Sequence, residues 1–99
     1  MIITENKQGE ITELLVNGRL DTNTAPQLEG VVKAKAKGTK QLILNLKDVE
    51  YISSAGLRVV LVAHKLMAGF GAKMIVRKPS AFCQQVFSAT GMNTVLSIQ

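Results

Sequence analysis

Few residues of this 99-residue chain carry reactive side chains, and their spacing suits catalysis poorly. The single histidine, His64, falls inside an apolar stretch. Neither a carboxylate nor a second imidazole stands at a spacing that would build a proton relay with it. It reads as a partly buried packing residue. The single cysteine, Cys83, follows Phe82 on an expected helix and reads as a structural or partly exposed thiol, not a nucleophile. One His and one Cys do not make a metal site. No glycine run of the phosphate-loop or dinucleotide-binding kind is present. The expectation is a protein without catalytic residues, cofactor or metal.

The informative stretch runs from Asn45 to Arg58 and contains Ser53-Ser54-Ala55-Gly56 where an apolar strand gives way to an apolar helix. One reading is structural. Ser53 or Ser54 accepts from free N–H groups of the first helical turn, and Gly56 lets helix and strand approach. The other reading uses the same physics. A phosphate on a serine here would sit at the positive end of a helix, near unsatisfied donors, and the fold would tolerate it. It would also add about −2 charge to an exposed surface, which is what a reversible binding switch needs.

The elements that position this stretch alternate. Met1 to Thr4 and Ile11 to Val16 read as a hairpin around Gln8-Gly9, with Asn17-Gly18 as a further turn signal. Thr24 stands as a helix N-cap with Gln27 placed for a capping box, Leu28, Val31 and Val32 follow at helical spacing, and Gly38 is a natural stop. Leu42, Ile43, Leu44 and Leu46 suit a strand buried on both faces. A second helix is expected from about Ala55 to Ala68, apolar nearly all round, with Arg58 and Lys65 on its polar stripe. Gly69 and Gly71 turn the chain into a strand at Met74 to Val76. Pro79 opens a third helix reaching about Ala89, with Ser80 as a polar cap and Phe82, Val86 and Phe87 as its apolar stripe. Gly91 ends it, and Thr94 to Ile98 form a last strand. The order β-β-α-β-α-β-α-β favours a mixed, mostly parallel sheet of four to five strands with right-handed crossovers. Leu44, Leu46, Leu57, Val60, Leu61 and Ile75 are expected in the core.

The bulk numbers agree with one α/β domain. The hydrophobic fraction of 46% supplies one core, and 19% charged residues are too few for a disordered chain. No apolar run approaches the ~20 residues that span a bilayer, and Met1 to Glu10 lacks a signal-peptide pattern. A single cysteine and no leader suit the cytoplasm. The net charge of +5 is spread over separate lysine clusters with no interleaved aromatics, which argues for solubility and against nucleic acid.

Two blocks resemble a known family. Asp48-Val49-Glu50-Tyr51-Ile52-Ser53-Ser54-Ala55-Gly56-Leu57-Arg58-Val59 is similar to the signature of the STAS domain, in its stand-alone form as a bacterial anti-sigma factor antagonist. Gly18-Arg19-Leu20-Asp21-Thr22-Asn23-Thr24-Ala25-Pro26-Gln27-Leu28-Glu29 resembles the family's segment between second strand and first helix. The likeness covers residues 1–99 as a single STAS domain. It implies a partner-switching protein. The unphosphorylated form binds an anti-sigma factor that is also a serine kinase, which frees a sigma factor. Phosphorylation breaks the complex, and a serine phosphatase resets it. The family's phosphorylated serine falls on Ser54. The implied partner surface comprises Asp21, Thr22, Thr24, Ser53, Ser54, Ala55, Gly56, Leu57 and Arg58, on a cytoplasmic protein that is monomeric when free and engages neither nucleic acid nor membrane. Ser53 stands where well-studied members carry Asp, and Asn45 is also often Asp. A STAS subunit of a transport or other signalling assembly, without sigma-factor control, is the alternative.

Overall fold

A computed structural model describes all 99 residues. The exposed, mostly polar β1 (Ile2–Gln8) pairs antiparallel with β2 (Ile11–Leu20), in which Thr12, Leu14 and Val16 alternate inward. The chain then crosses through α1 (Ala25–Ala36) to β3 (Gln41–Ile52), and through α2 (Ser54–Gly69) to β4 (Lys73–Arg77). Both crossovers return parallel strands, so the sheet order is β1-β2-β3-β4. Helix α3 (Ala81–Thr90) follows, and a short 3-10 turn spans Met92–Thr94.

Leu14 and Val16 of β2, Leu42, Leu44 and Leu46 of β3, and Met74 and Val76 of β4 point to one face of the sheet. The buried residues of all three helices join them in a single cluster, among them Leu28, Val32, Val60, Met67 and Phe87. Cys83 is wholly buried in the same cluster, so it is a structural thiol and not a partly exposed one. Ile43 and Ile75 are also buried but lie opposite each other on the reverse face. Of the expected core, Leu44, Leu46 and Val60 lie between sheet and helices, and Ile75 is buried on the other side. Leu57 and Leu61 are only half-buried, because the strongest inward stripe of α2 is Gly56, Val59, Val60, Ala63 and Met67.

Three local expectations give way. Asn17-Gly18 is not a turn: β2 continues to Leu20, with register irregularities on either side of this pair and Gly18 at φ +118°. Parallel pairing with a long β3 outweighs the turn propensity. The capping box at Thr24 does not form, since the Thr24 hydroxyl donates to Arg19 O at 2.7 Å and Gln27 Nε2 reaches Met1 O at 3.3 Å. The last strand shrinks to one parallel bridge between Ile98 and Val76. Val76 N–H donates to Ser97 O and Gln99 N–H to Val76 O, both at 2.8 Å, which pairs the outer edge of β4 at Val76.

Candidate functional site at the strand ends

The C-terminal ends of β2 and β3 lie side by side, with Leu20 paired to Ile52. Two connections leave from here. Asp21 begins the loop into α1, and Ser53 begins α2. Ser53 N–H donates to Leu20 O at 2.9 Å, which ties the two starts together.

Ser53 is extended, at φ −93° and ψ 176°, and its Oγ accepts from Gly56 N–H at 3.3 Å. It is the N-cap. The capping role therefore falls on Ser53, and Ser54 is the first helical residue with its side chain exposed. Asp and Ser cap equally well, so Ser53 does here what an Asp would do. Gly56 is buried because α2 presses on β2 here. A Cβ at Gly56 would lie 2.5 Å from Leu20 O and 2.7 Å from Leu20 Cγ. Gly56 thus makes the close approach possible and is itself buried.

The Asp21 loop is held by its own carboxylate. Asp21 Oδ1 accepts from Asn23 N–H at 3.0 Å and from Thr24 N–H at 3.2 Å, and the Thr24 Oγ, whose proton points mainly to Arg19 O, lies 3.3 Å away. Asp21 Oδ2 lies 3.7 Å from Arg19 Nε. Desolvation at this half-buried position opposes ionisation, but these donors and the Arg19 guanidinium outweigh it and hold the carboxyl below its usual range. Asp21 stays charged and fixes the loop that leads into α1, whose own first turn has no side-chain cap. Thr22 is exposed beside it.

A shallow groove of about 440 Å³ runs between α1 and α2 and is lined by Thr22, Ala55 and Arg58 together with Glu29 and Lys33. The structure thus gathers Asp21, Thr22, Thr24, Ser53, Ser54, Ala55 and Arg58 at one end of the sheet. Leu57 packs partly against the core. Sequence reasoning missed one neighbour of this set. Arg19 stacks over the Tyr51 ring at 4.2 Å, and Tyr51 packs against Phe82 with ring centroids 5.3 Å apart. The only signal was the lone tyrosine, which stands inside the Asp48 to Val59 block.

The remaining reactive residues lie elsewhere. His64 is half-buried further along α2, and its Nδ1 is buried without a hydrogen-bond partner. Burial pushes the Cys83 thiol up, against the opposing effect of its Ser80 hydrogen bonds. No cluster of three or more His, Cys, Asp or Glu side chains is placed to hold a metal. No helix is long and apolar enough to cross a membrane. Asn45 sits on the reverse face, where its amide donates to Glu13 Oε2 at 3.2 Å and Arg77 Nη1 lies 3.3 Å from the same oxygen. A second carboxylate at position 45 would confront Glu13, so Asn suits this sheet and bears on its packing, not on the serines.

Fold and site together define a small α/β domain with its helices gathered on one sheet face and a serine-bearing helix start at its parallel strand ends. The STAS domain profile matches residues 3–99, and the chain belongs to the STAS domain family. It is 28% identical over 99 residues to BtrV of Bordetella bronchiseptica, provisionally named an anti-sigma factor antagonist, covering 99% of this chain and 85% of that protein. It is 27% identical over 97 residues to the anti-sigma-B factor antagonist of Staphylococcus aureus, covering 97% of this chain and 90% of that one. The solved structure of the anti-sigma factor antagonist SpoIIAA in its unphosphorylated form superposes with a TM-score of 0.84 at 17% identity, over 99% of this chain and 88% of that one. The phosphorylated form of Bacillus SpoIIAA superposes at 0.78 and 17% identity, over 99% and 91%.

Proposed function

We propose that this chain is an anti-sigma factor antagonist that works by partner switching. In this reading the unphosphorylated domain binds a cytoplasmic anti-sigma factor of the serine-kinase type and so frees a sigma factor. Phosphorylation of Ser54 ends the complex, and a serine phosphatase restores it. The single observation that carries the reading is the division of labour at the start of α2: Ser53 takes the cap, and the Ser54 hydroxyl stands exposed at the first helical position. The names of the sequence relatives support the class of partner.

The chemistry follows from position. Ala55 and Gly56 carry little bulk, so a kinase active site has room to reach Ser54. A phosphate at the N-terminus of α2 meets the positive end of the helix dipole, and the domain stays folded. In the complex the same phosphate is taken out of water among Asp21, Thr22, Thr24, Ser53, Ala55, Leu57 and Arg58. An imperfectly paired double charge there costs several kcal/mol, and about 1.4 kcal/mol is already tenfold in affinity. Asp21 repels it further. Release is then a local electrostatic event that needs no rearrangement of the fold.

The test is intact mass and peptide mapping after incubation with ATP and each anti-sigma serine kinase of the source genome. One phosphate on Ser54 is the expected result. Phosphate on Ser53, or none with every kinase, would refute the mechanism. The second outcome would turn attention to a STAS subunit in another assembly.

A further inference from the structure

We infer that the partner surface extends onto a ledge formed by Arg19, Tyr51 and Phe82, and that this ledge takes an acidic side chain flanked by an apolar one from the anti-sigma partner. The inference rests on the reading of the switch end proposed above.

The ledge is continuous with the switch. Arg19 and Tyr51 are register partners, directly before the Leu20–Ile52 pair from which Asp21 and Ser53 emerge. The Arg19 side chain is 55% exposed although its guanidinium lies 4.2 Å from the Tyr51 ring centre. Asp21 touches one edge of the guanidinium at 3.7 Å, so other N–H donors are free for a partner carboxylate. A stacked guanidinium is weakly hydrated and gives up its water at low cost. Phe82 closes the ledge. It is 38% exposed and rests on Tyr51 at an interplanar angle of 43°.

These side chains are also held in place before binding. The start of α3 is anchored to β3 by Ser80, whose hydroxyl donates to Val49 O at 2.6 Å and whose N–H donates to Leu46 O at 3.1 Å. Phe82 is therefore fixed relative to Tyr51. Immobilised Arg and aromatic residues lose little freedom on association, and these are the residue types that anchor interfaces. The chain offers its own contrast. Phe70 is more exposed, at 56%, but sits at the far end of α2 with no ring or guanidinium against it.

The experiment is calorimetric titration of wild type, Phe82→Ala, Arg19→Ala, Phe70→Ala and Ser54→Asp with each anti-sigma serine kinase of the source genome, loaded with ADP so that no phosphate is transferred to Ser54. Hydrogen exchange of the wild-type complex is measured in parallel. Phe82→Ala and Arg19→Ala are expected to weaken binding roughly 10- to 100-fold, with Phe70→Ala equal to wild type. Residues 18–21, 49–52 and 80–84 are expected to gain protection. If Phe82→Ala fails to fold, protection at 80–84 in the wild-type complex decides. Wild-type affinity in both ledge variants, or no added protection at 80–84, overturns the ledge. Should Ser54→Asp alone lose binding, the ledge falls and the switch stands. Should wild type bind none of the kinases, both fall.

Discussion

Ser53 caps α2 through the Gly56 N–H at 3.3 Å, and Ser80 caps α3 through the Cys83 N–H at 3.2 Å. Both serines are extended, both precede their accepted amide by three residues, and both helices start at the next position. The following residues differ. After Ser53 come Ser54, Ala55 and Gly56, and after Ser80 come Ala81, Phe82 and Cys83. Ser80 also donates its hydroxyl to Val49 O at 2.6 Å, so its side chain serves as donor and acceptor within the fold. One helix start is closed on itself. The other carries a second hydroxyl that the fold does not need. A serine cap is thus a structural device in both places, and only the residue behind it differs in what it offers a kinase.

The largest effect expected from breaking this contrast is on partner binding. Ser54→Asp should weaken the complex roughly 100-fold, about 2.7 kcal/mol, with a native circular-dichroism spectrum. Ser54→Ala should bind and resist release, and Ser53→Ala should still be phosphorylated on Ser54. Adding Ala81→Ser to Ser54→Ala gives α3 the same pair of hydroxyls. Phosphate on Ala81→Ser would mean that a double serine at a helix start is enough, and its absence would mean that the neighbouring surface is read too.

Next in size is the third helical position. Gly56→Ala forces a Cβ against Leu20 O and should cost about 2.5 kcal/mol, since the contact is with backbone that cannot swing away. Cys83→Ala removes one buried sulfur and should cost only about 1 kcal/mol. Equal urea midpoints for the two variants would contradict the close approach of α2 to β2.

The caps themselves should separate more weakly. Ser80→Ala loses a donor and an acceptor role and leaves Val49 O without its partner, about 2 kcal/mol. Ser53→Ala loses one cap bond, about 1 kcal/mol. Thermal unfolding of the pair gives the order directly.

The smallest effect concerns pH. Asp21 has a folded pKa below its unfolded value, so its contribution is present above the ordinary carboxylate range and is lost as pH falls through the depressed folded value. The difference in Tm between wild type and Asp21→Asn should be constant near neutral pH and shrink below about pH 4. A difference that persisted at more acid pH would show that the loop does not depend on the charge.

The local features of this domain were legible in the chain itself. Helix α2, the buried run of β3, the start of α3 at Ser80 and the serine junction all depend on neighbours within a few residues, through apolar periodicity, capping chemistry and small side chains. Asp21 was set beside the switch only by the resemblance of the Gly18 to Glu29 block. What misled the local logic was tertiary competition. Asn17-Gly18 has turn chemistry but is drawn into β2 by pairing with β3. Thr24 has cap chemistry but spends its hydroxyl on Arg19 O and leaves the loop to Asp21. Which serine caps α2 was open from sequence, because either hydroxyl could serve. The approach of α2 to Leu20 decided it by fixing where the helix begins. The Arg19, Tyr51 and Phe82 stack joins residues from two strands and a helix, and no local pattern brings them together. Local propensity acts within a turn or two of chain, whereas the register of parallel strands and the docking of helices on them are set by burial across the whole sheet.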